Sequence, residues 1–228
     1  MASTSIAPPQ LVINSRMLYS SWIPADPAAA AALLPQGLKP AANRAIYMNQ
    51  YVVDSADQTS AFGAYSLTYL GLDLADHKAP DGVTPGRFFT HYFNSAEGMR
   101  HYARERGVPA TEGHTTLELR GQELVATTHA GGKPLIRTTA RVGNTVGSVA
   151  RGQLMYVTKV GNKLMAGNYP YVGEIAAPFE LLSLEFLAPE HPVYALRPAS
   201  PLQRVEGWCW YAPRDSFAYP GGEYELKP

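Results

Sequence analysis

The chain has 228 residues, long enough to bury a substantial core, and we read residues 1–228 as one β-rich domain. Its 19 Lys and Arg balance 19 Asp and Glu, so no net field favours nucleic acid or an acidic membrane surface, and a small molecule is the expected partner. The one cysteine, Cys209, excludes an internal disulfide and reads as a buried thiol within Trp208-Cys-Trp210.

The opening segment, Met1–Gln10, has no basic region followed by an apolar core, so the expectation is a cytoplasmic chain. Leu11–Trp22 mixes β-branched, aromatic and small polar residues and reads as a strand ended by Pro24, with Arg16 inside it. Asp26 and Pro27 then supply an N-cap and a first helical position, which predicts a helix up to Leu34. Arg44–Val53 and Ala61–Leu74 read as Tyr-rich strands, suited to a ligand cavity as well as to a core. Asp76–Gly86 is dense in turn residues, and Arg87–Phe93 returns as a strand. A helix over Ser95–Arg106 follows, starting at Ser95 and closing on Gly107 in a left-handed cap.

Beyond the turn Arg104–Gly113, Thr115–Thr128 alternates apolar and polar residues about Gly121-Gln122, which predicts a hairpin. Further strands are expected over Arg137–Val160, Lys163–Tyr171, Glu180–Leu187 and Val205–Tyr211, with Gly143, Gly147 and Gly152 marking bends or close backbone approach. The fold class that results is mainly β with a few short helices, built on a large, curved, chiefly antiparallel sheet.

No HExxH, paired CxxC, phosphate-binding loop or strand-GxGxxG-helix pattern is present, so the sequence gives no reason to invoke a cofactor or metal. The six histidines are dispersed, and His91 with His114 lacks the carboxylate pattern a metal site would need. Arg137, Arg141 and Arg151 form no basic cluster with interleaved aromatics.

The order of segments resembles the acetoacetate decarboxylase superfamily. The landmarks are Arg16-Met-Leu-Tyr, Asp26-Pro, Leu33-Leu-Pro-Gln-Gly-Leu38, Gly63-Ala-Tyr65, Tyr92-Phe-Asn and Arg104-Glu-Arg-Gly-Val-Pro109. They cover about the first half of the chain; the second half matches only in pattern. The resemblance implies a β-cone or double-barrel fold with an internal active site, and a homo-oligomer. It also implies an imine-forming lysine just after Pro109, where this chain has Ala110 and Thr111. Leu67 stands where the family carries an acid, and a second family carboxylate falls near Met48 and Asn49.

An alanine forms no imine, so the expected chemistry is noncovalent acid/base work on a carbonyl- or carboxylate-bearing molecule: cyclisation, dehydration, isomerisation or C–C cleavage, for example of a polyketide-like metabolite. The resemblance gives Arg16 the role of clamping a carboxylate or polarising a carbonyl. Glu112 and His114 are candidates for proton transfer, and Tyr92 for donation to an enolate. Tyr47, Asn49, Tyr65, Leu67, His91, Glu105 and Ala110 are the expected pocket residues. Two rival readings stand beside this one: a noncatalytic binder of hydrophobic ligands, and an imine enzyme whose lysine has moved, with Lys163 the lysine to test.

Overall fold

The computed structural model describes residues 6–226, so part of the opening segment read for a targeting signal lies outside the described residues. Eleven strands join in one sheet: β1 (Gln10–Trp22), β2 (Ile46–Val53), β3 (Tyr65–Lys78), β4 (Pro85–Asn94), β5 (Ala110–Glu112), β6 (His114–Arg120), β7 (Glu123–Ala130), β8 (Lys133–Val160), β9 (Lys163–Phe186), β10 (Trp210–Tyr219) and β11 (Tyr224–Glu225). Among the described residues two α-helices, α1 (Pro27–Ala31) and α2 (Glu97–Glu105), accompany them. Among the described residues no helix is long and apolar enough to cross a membrane.

The expected mainly-β class is what the chain adopts, with one departure from antiparallel pairing. Strands β10, β1, β2, β3 and β4 follow one another antiparallel, and β4 then meets both β5 and β8 in parallel. Because β8 pairs with β9 and β9 returns to β10, strands β1 to β4 and β8 to β10 close into a ring. The first half of β8, with β7 and β6, continues past the ring as a flap over the outer face of β2 and β3. Side-chain alternation then divides each shared strand between two interiors. Tyr47, Tyr51, Leu67 and Tyr69 belong to the cluster inside the ring, whereas Ile46, Met48, Leu70 and Leu72 join a second cluster outside it.

Local signals explain most element ends. Asp26 accepts from the amides of Ala28 and Ala29, and Pro27 opens α1 as expected, but the helix stops at Ala31 and leaves Leu33 and Leu34 to pack from a turn. Helix α2 starts one residue later than expected: Ala96 is its N-cap, and the Asn94 side chain accepts from the Ala96 amide. Gly107 has the predicted left-handed backbone, with φ of 74°. The presumed loop Asp76–Gly86 is shorter, because β3 runs on to Lys78 and pairs it with Pro85. Strand β9 is continuous through Pro170 and Pro178, where the sequence predicts a break; register shifts in β8 near Thr145 absorb the irregularity. The expected strand Val205–Tyr211 instead begins at Trp210 and runs on to Tyr219.

Candidate active site within the strand ring

Every ring strand contributes to one internal cavity, whose empty space counted together with its opening is about 770 Å³. Met17 and Tyr19 come from β1, Asn49 from β2, Tyr69 from β3, and Arg87, Phe89 and Tyr92 from β4. Helix α2 closes one end with its apolar face, Met99, Tyr102 and Ala103, followed by Arg106 and Val108. Strands β8 and β9 add Leu154, Tyr156, Tyr169 and Tyr171, and the β10 region adds Trp208, Trp210, Asp215, Phe217 and Tyr219.

Within this aromatic interior Arg87 is the buried cation, 2 % exposed. Its Nε donates to Asp73 Oδ1 at 3.1 Å, the residue opposite it on β3. The faces of Tyr19, Tyr47 and Trp208 lie 5.2, 4.9 and 4.9 Å from its guanidinium carbon. Burial opposes the charge, but the surrounding tyrosines and Asp73 outweigh it and hold the guanidinium protonated. Its Nη1 has no partner in the chain. A buried donor without an acceptor is costly, which marks Nη1 as a group available to a ligand.

Other buried polar atoms of the lining are uncommitted too: the hydroxyls of Tyr19 and Tyr102, Asn49 Oδ1 and Asp215 Oδ1, with the Tyr47 hydroxyl just behind. The remaining phenols form strings. Asn49 donates to the Tyr69 hydroxyl, which meets that of Tyr169 at 3.2 Å, while Tyr51 meets Tyr65 at 2.9 Å and Tyr219 at 3.4 Å. Burial raises the pKa of each of these tyrosines, so they enter neutral-pH chemistry as hydroxyl donors.

Of the residues singled out from the sequence, Asn49 and Tyr92 line the cavity, and Tyr47, Tyr65, Leu67 and Ala110 pack in the same buried cluster. The others lie elsewhere. Arg16 points outside the ring, where Nε donates to Asp54 Oδ2 at 2.8 Å and Nη1 to the Leu117 carbonyl at 2.8 Å. The cause is a bulge. Alternation from buried Val12 would turn residue 16 inward, but β1 changes register twice between Val12 and Met17, with Asn14 at φ 53°, so Met17 faces in and Arg16 out.

His91 is displaced in the same way. The register of β3 and β4 slips between Leu70 and Gly71, leaving Thr90 as the extra residue and bringing Tyr92 inward after Arg87 and Phe89. His91 instead stacks with Phe93 and faces His191 on the outer side, and burial, aided by His191, lowers it to about 4. Any side chain at Gly71 would meet the Phe88 carbonyl at 1.8 Å, so that close crossing needs glycine.

Glu112 and His114 are exposed beyond the end of the cavity, with His114 Nδ1 3.1 Å from Ser66 Oγ. Glu105 is also exposed and pairs with His101 at 3.2 Å. Lys163 opens β9 just after the β8–β9 turn, exposed, with Glu225 2.6 Å away. No described lysine is buried; Lys39, Lys78, Lys133, Lys159 and Lys163 are all exposed. Cys209 is half-buried, its thiol hydrogen-bonded to the Ser21 backbone and its pKa raised by burial. Sequence reasoning missed Arg87 and Asp215, although a charged residue beside Phe88 and Phe89 in an apolar strand was a usable signal.

No family model matches the sequence, and no curated protein matches it. Solved structures do match in three dimensions. An acetoacetate decarboxylase superposes with a TM-score of 0.73 at 13% identity, over 99% of this chain and 92% of that one. The enduracididine biosynthesis enzyme MppR, complexed with pyruvate, gives 0.67 at 12% identity over 99% and 93%. An acetoacetate decarboxylase-like enzyme from Sphingomonas wittichii RW1 gives 0.66 at 19% identity over 100% and 96%. What these likenesses establish is the architecture: the chain has the acetoacetate decarboxylase fold.

Proposed function

We propose that this chain is a small-molecule enzyme that carries out noncovalent acid/base chemistry on a carbonyl- or carboxylate-bearing substrate held inside the ring. The observation that carries the reading is Arg87, a buried guanidinium with an uncommitted N–H, in a cavity whose lining contains no lysine. Where the resemblance places the imine-forming residue, buried Ala110 packs within the cluster of Tyr92 and Val108.

Arg87 takes the part first given to Arg16. Its Nη1 donates to the carbonyl oxygen, and in this buried, largely aromatic interior the donation strengthens as negative charge builds toward an enolate. The Asp73 pair and the three aromatic faces fix the guanidinium in place, so little reorganisation accompanies the reaction. The unpartnered hydroxyl of Tyr19, whose ring packs on the same guanidinium, is a further donor to that oxygen. Tyr92 stays in the proposal as a wall of the cavity, stacked with Tyr69 at 6.0 Å between centroids. Isomerisation, cyclisation, dehydration and C–C cleavage each proceed through such an enolate. Because one structural neighbour was captured with pyruvate, 2-oxo acids are the first class to test.

Incubation with pyruvate or acetoacetate and borohydride, followed by intact-mass analysis, should leave the chain unmodified, while calorimetry should detect binding that Arg87→Met abolishes. A trapped adduct on any lysine would replace this reading with imine chemistry. Binding with no turnover of any carbonyl compound would favour the ligand-carrier alternative.

A further inference from the structure

The resemblance locates the family's acid on β3, where Leu67 now stands, so the cavity needs a proton-handling group from another wall. Strand β10 provides one. Asp215 lines the cavity at 1 % exposure, and its Oδ1 has no hydrogen-bond partner. Three features of the backbone direct it there. Alternation from the inward-facing Trp210 would turn residue 215 outward, but the pairing with β1 is irregular between Ala212 and Asp215, where Pro213 lies, and the side chain is re-aimed into the ring. The opposing bulge in β1 brings Ser15 to donate to the Asp215 carbonyl at 3.0 Å, which fixes the strand. Across the sheet stands Gly173, where a Cβ would come within 2.3 Å of Asp215 Oδ1. A buried carboxyl with a cradle shaped around it and an oxygen left open has no structural partner to justify its desolvation.

We propose that Asp215 is the proton-transferring residue of this site, removing a proton from the carbon next to the ligand's carbonyl and returning it to the same or a conjugated carbon. In the forward step a C–H bond breaks and an O–H bond forms on the Asp215 carboxylate. The electron pair moves into the enolate whose oxygen faces Arg87. In the return step the carboxylic acid gives the proton back, and no oxidant or reductant is involved. The inference rests on the reading of the cavity as a carbonyl site.

The surroundings suit a base of moderate strength. Tyr69 from β3 and Tyr171 from β9 are titratable groups that sense both Asp215 and Arg87, while β1 sets Ser15 opposite Asp215 and adds Met17 and Tyr19 to the same lining. No cation lies close enough to offset desolvation, and burial alone raises Asp215 to about 8. At that value the carboxylate is strong enough to take a carbon-bound proton and the acid still able to return it at neutral pH.

The test is exchange of the pyruvate methyl hydrogens for deuterium in D₂O, followed by NMR, together with pyruvate binding followed by quenching of tryptophan fluorescence. The wild-type chain should exchange above the buffer rate, with a rate that rises tenfold per pH unit below about 8 and levels off above it. Asp215→Asn should bind pyruvate as before and lose at least about 100-fold in exchange. Binding by both proteins with equal exchange, or a wild-type profile flat from pH 6 to 9, would overturn the role of Asp215 and leave the cavity reading standing. A wild-type chain that neither binds nor exchanges would overturn the cavity reading itself. The pH profile needs no variant, so the proposal stays falsifiable if Asp215→Asn fails to fold.

Discussion

Strands β2 and β3 serve two interiors, and their polar residues behave in opposite ways on the two sides. Facing the flap, Gln50 donates to Thr128 Oγ1 at 3.0 Å and accepts from Thr138 at 2.7 Å, while Thr68 lies 2.7 Å from Thr115 and 2.6 Å from Thr128. Each of those groups is partnered, and a satisfied network of this kind holds packing without inviting a ligand. One residue away and facing the ring, Asn49 Oδ1 is uncommitted, as are Nη1 of Arg87 and the Tyr19 hydroxyl. The difference teaches that burial of polar groups is not the mark of a site. Burial without partners, gathered around one cavity, is.

The sharpest way to break this comparison is Arg87→Met. It removes the donor offered to the ligand and strands Asp73, so it should abolish pyruvate binding and cost about 3–5 kcal/mol in denaturant unfolding. A conservative Arg87→Lys should recover part of the stability without the binding, since an ammonium does not reproduce the guanidinium's planar fork.

Proton linkage separates the two sides next. Folded Asp215 keeps its proton up to about pH 8, whereas the unfolded chain loses it near pH 4, so the folded state binds the extra proton between those values. Its contribution is therefore full below about pH 4 and falls by up to about 1.4 kcal/mol per pH unit as pH rises toward 8. His91 has the opposite sign. Held neutral down to about 4 when folded, against about 6.5 unfolded, it favours the folded state above pH 6.5 and loses that contribution as pH falls through 4. Urea titrations across pH 4–9 should show Asp215→Asn flattening the loss of stability as pH rises from about 4 to 8, and His91→Phe the loss as pH falls from about 6.5 to 4.

On the flap side, Gln50→Leu removes the acceptor of the Thr138 hydroxyl and one partner of Thr128, and should cost about 1–3 kcal/mol while leaving pyruvate affinity unchanged. The smallest effect belongs to Arg16→Ala. Its partner Asp54 is exposed, so the loss should stay within about 1 kcal/mol, with no change in binding or exchange. A large loss of ligand affinity in that variant would return Arg16 to the site.

The sequence was most legible where one local signal decides the outcome. Asp26-Pro27 opened a helix, Gly107 closed another, Gly121 turned a hairpin, and the Tyr-rich alternation of β2 and β3 identified strands with one aromatic face. It was least legible where a bulge inverts alternation. Arg16 and His91 face away from the cavity, and Tyr92 and Asp215 face into it, because one extra residue changes the parity of everything after it. Such an insertion has no strong local signature: Asn14, Thr90 and Pro213 are unremarkable residues in sequence. The proton-handling group was hidden for a second reason, since the strand that carries it was expected to end at Tyr211.

The ring closes between β4 and β8 through two residue pairs, Arg87 with Tyr156 and Phe88 with Val157, against eight pairs between β2 and β3. That clasp is the thinnest part of the wall and the place where transient opening breaks the fewest hydrogen bonds. It also carries the guanidinium assigned to grip the guest. A substitution that loosens the clasp would thus alter residence time and affinity together, coupling escape from the barrel to the strength of its hold.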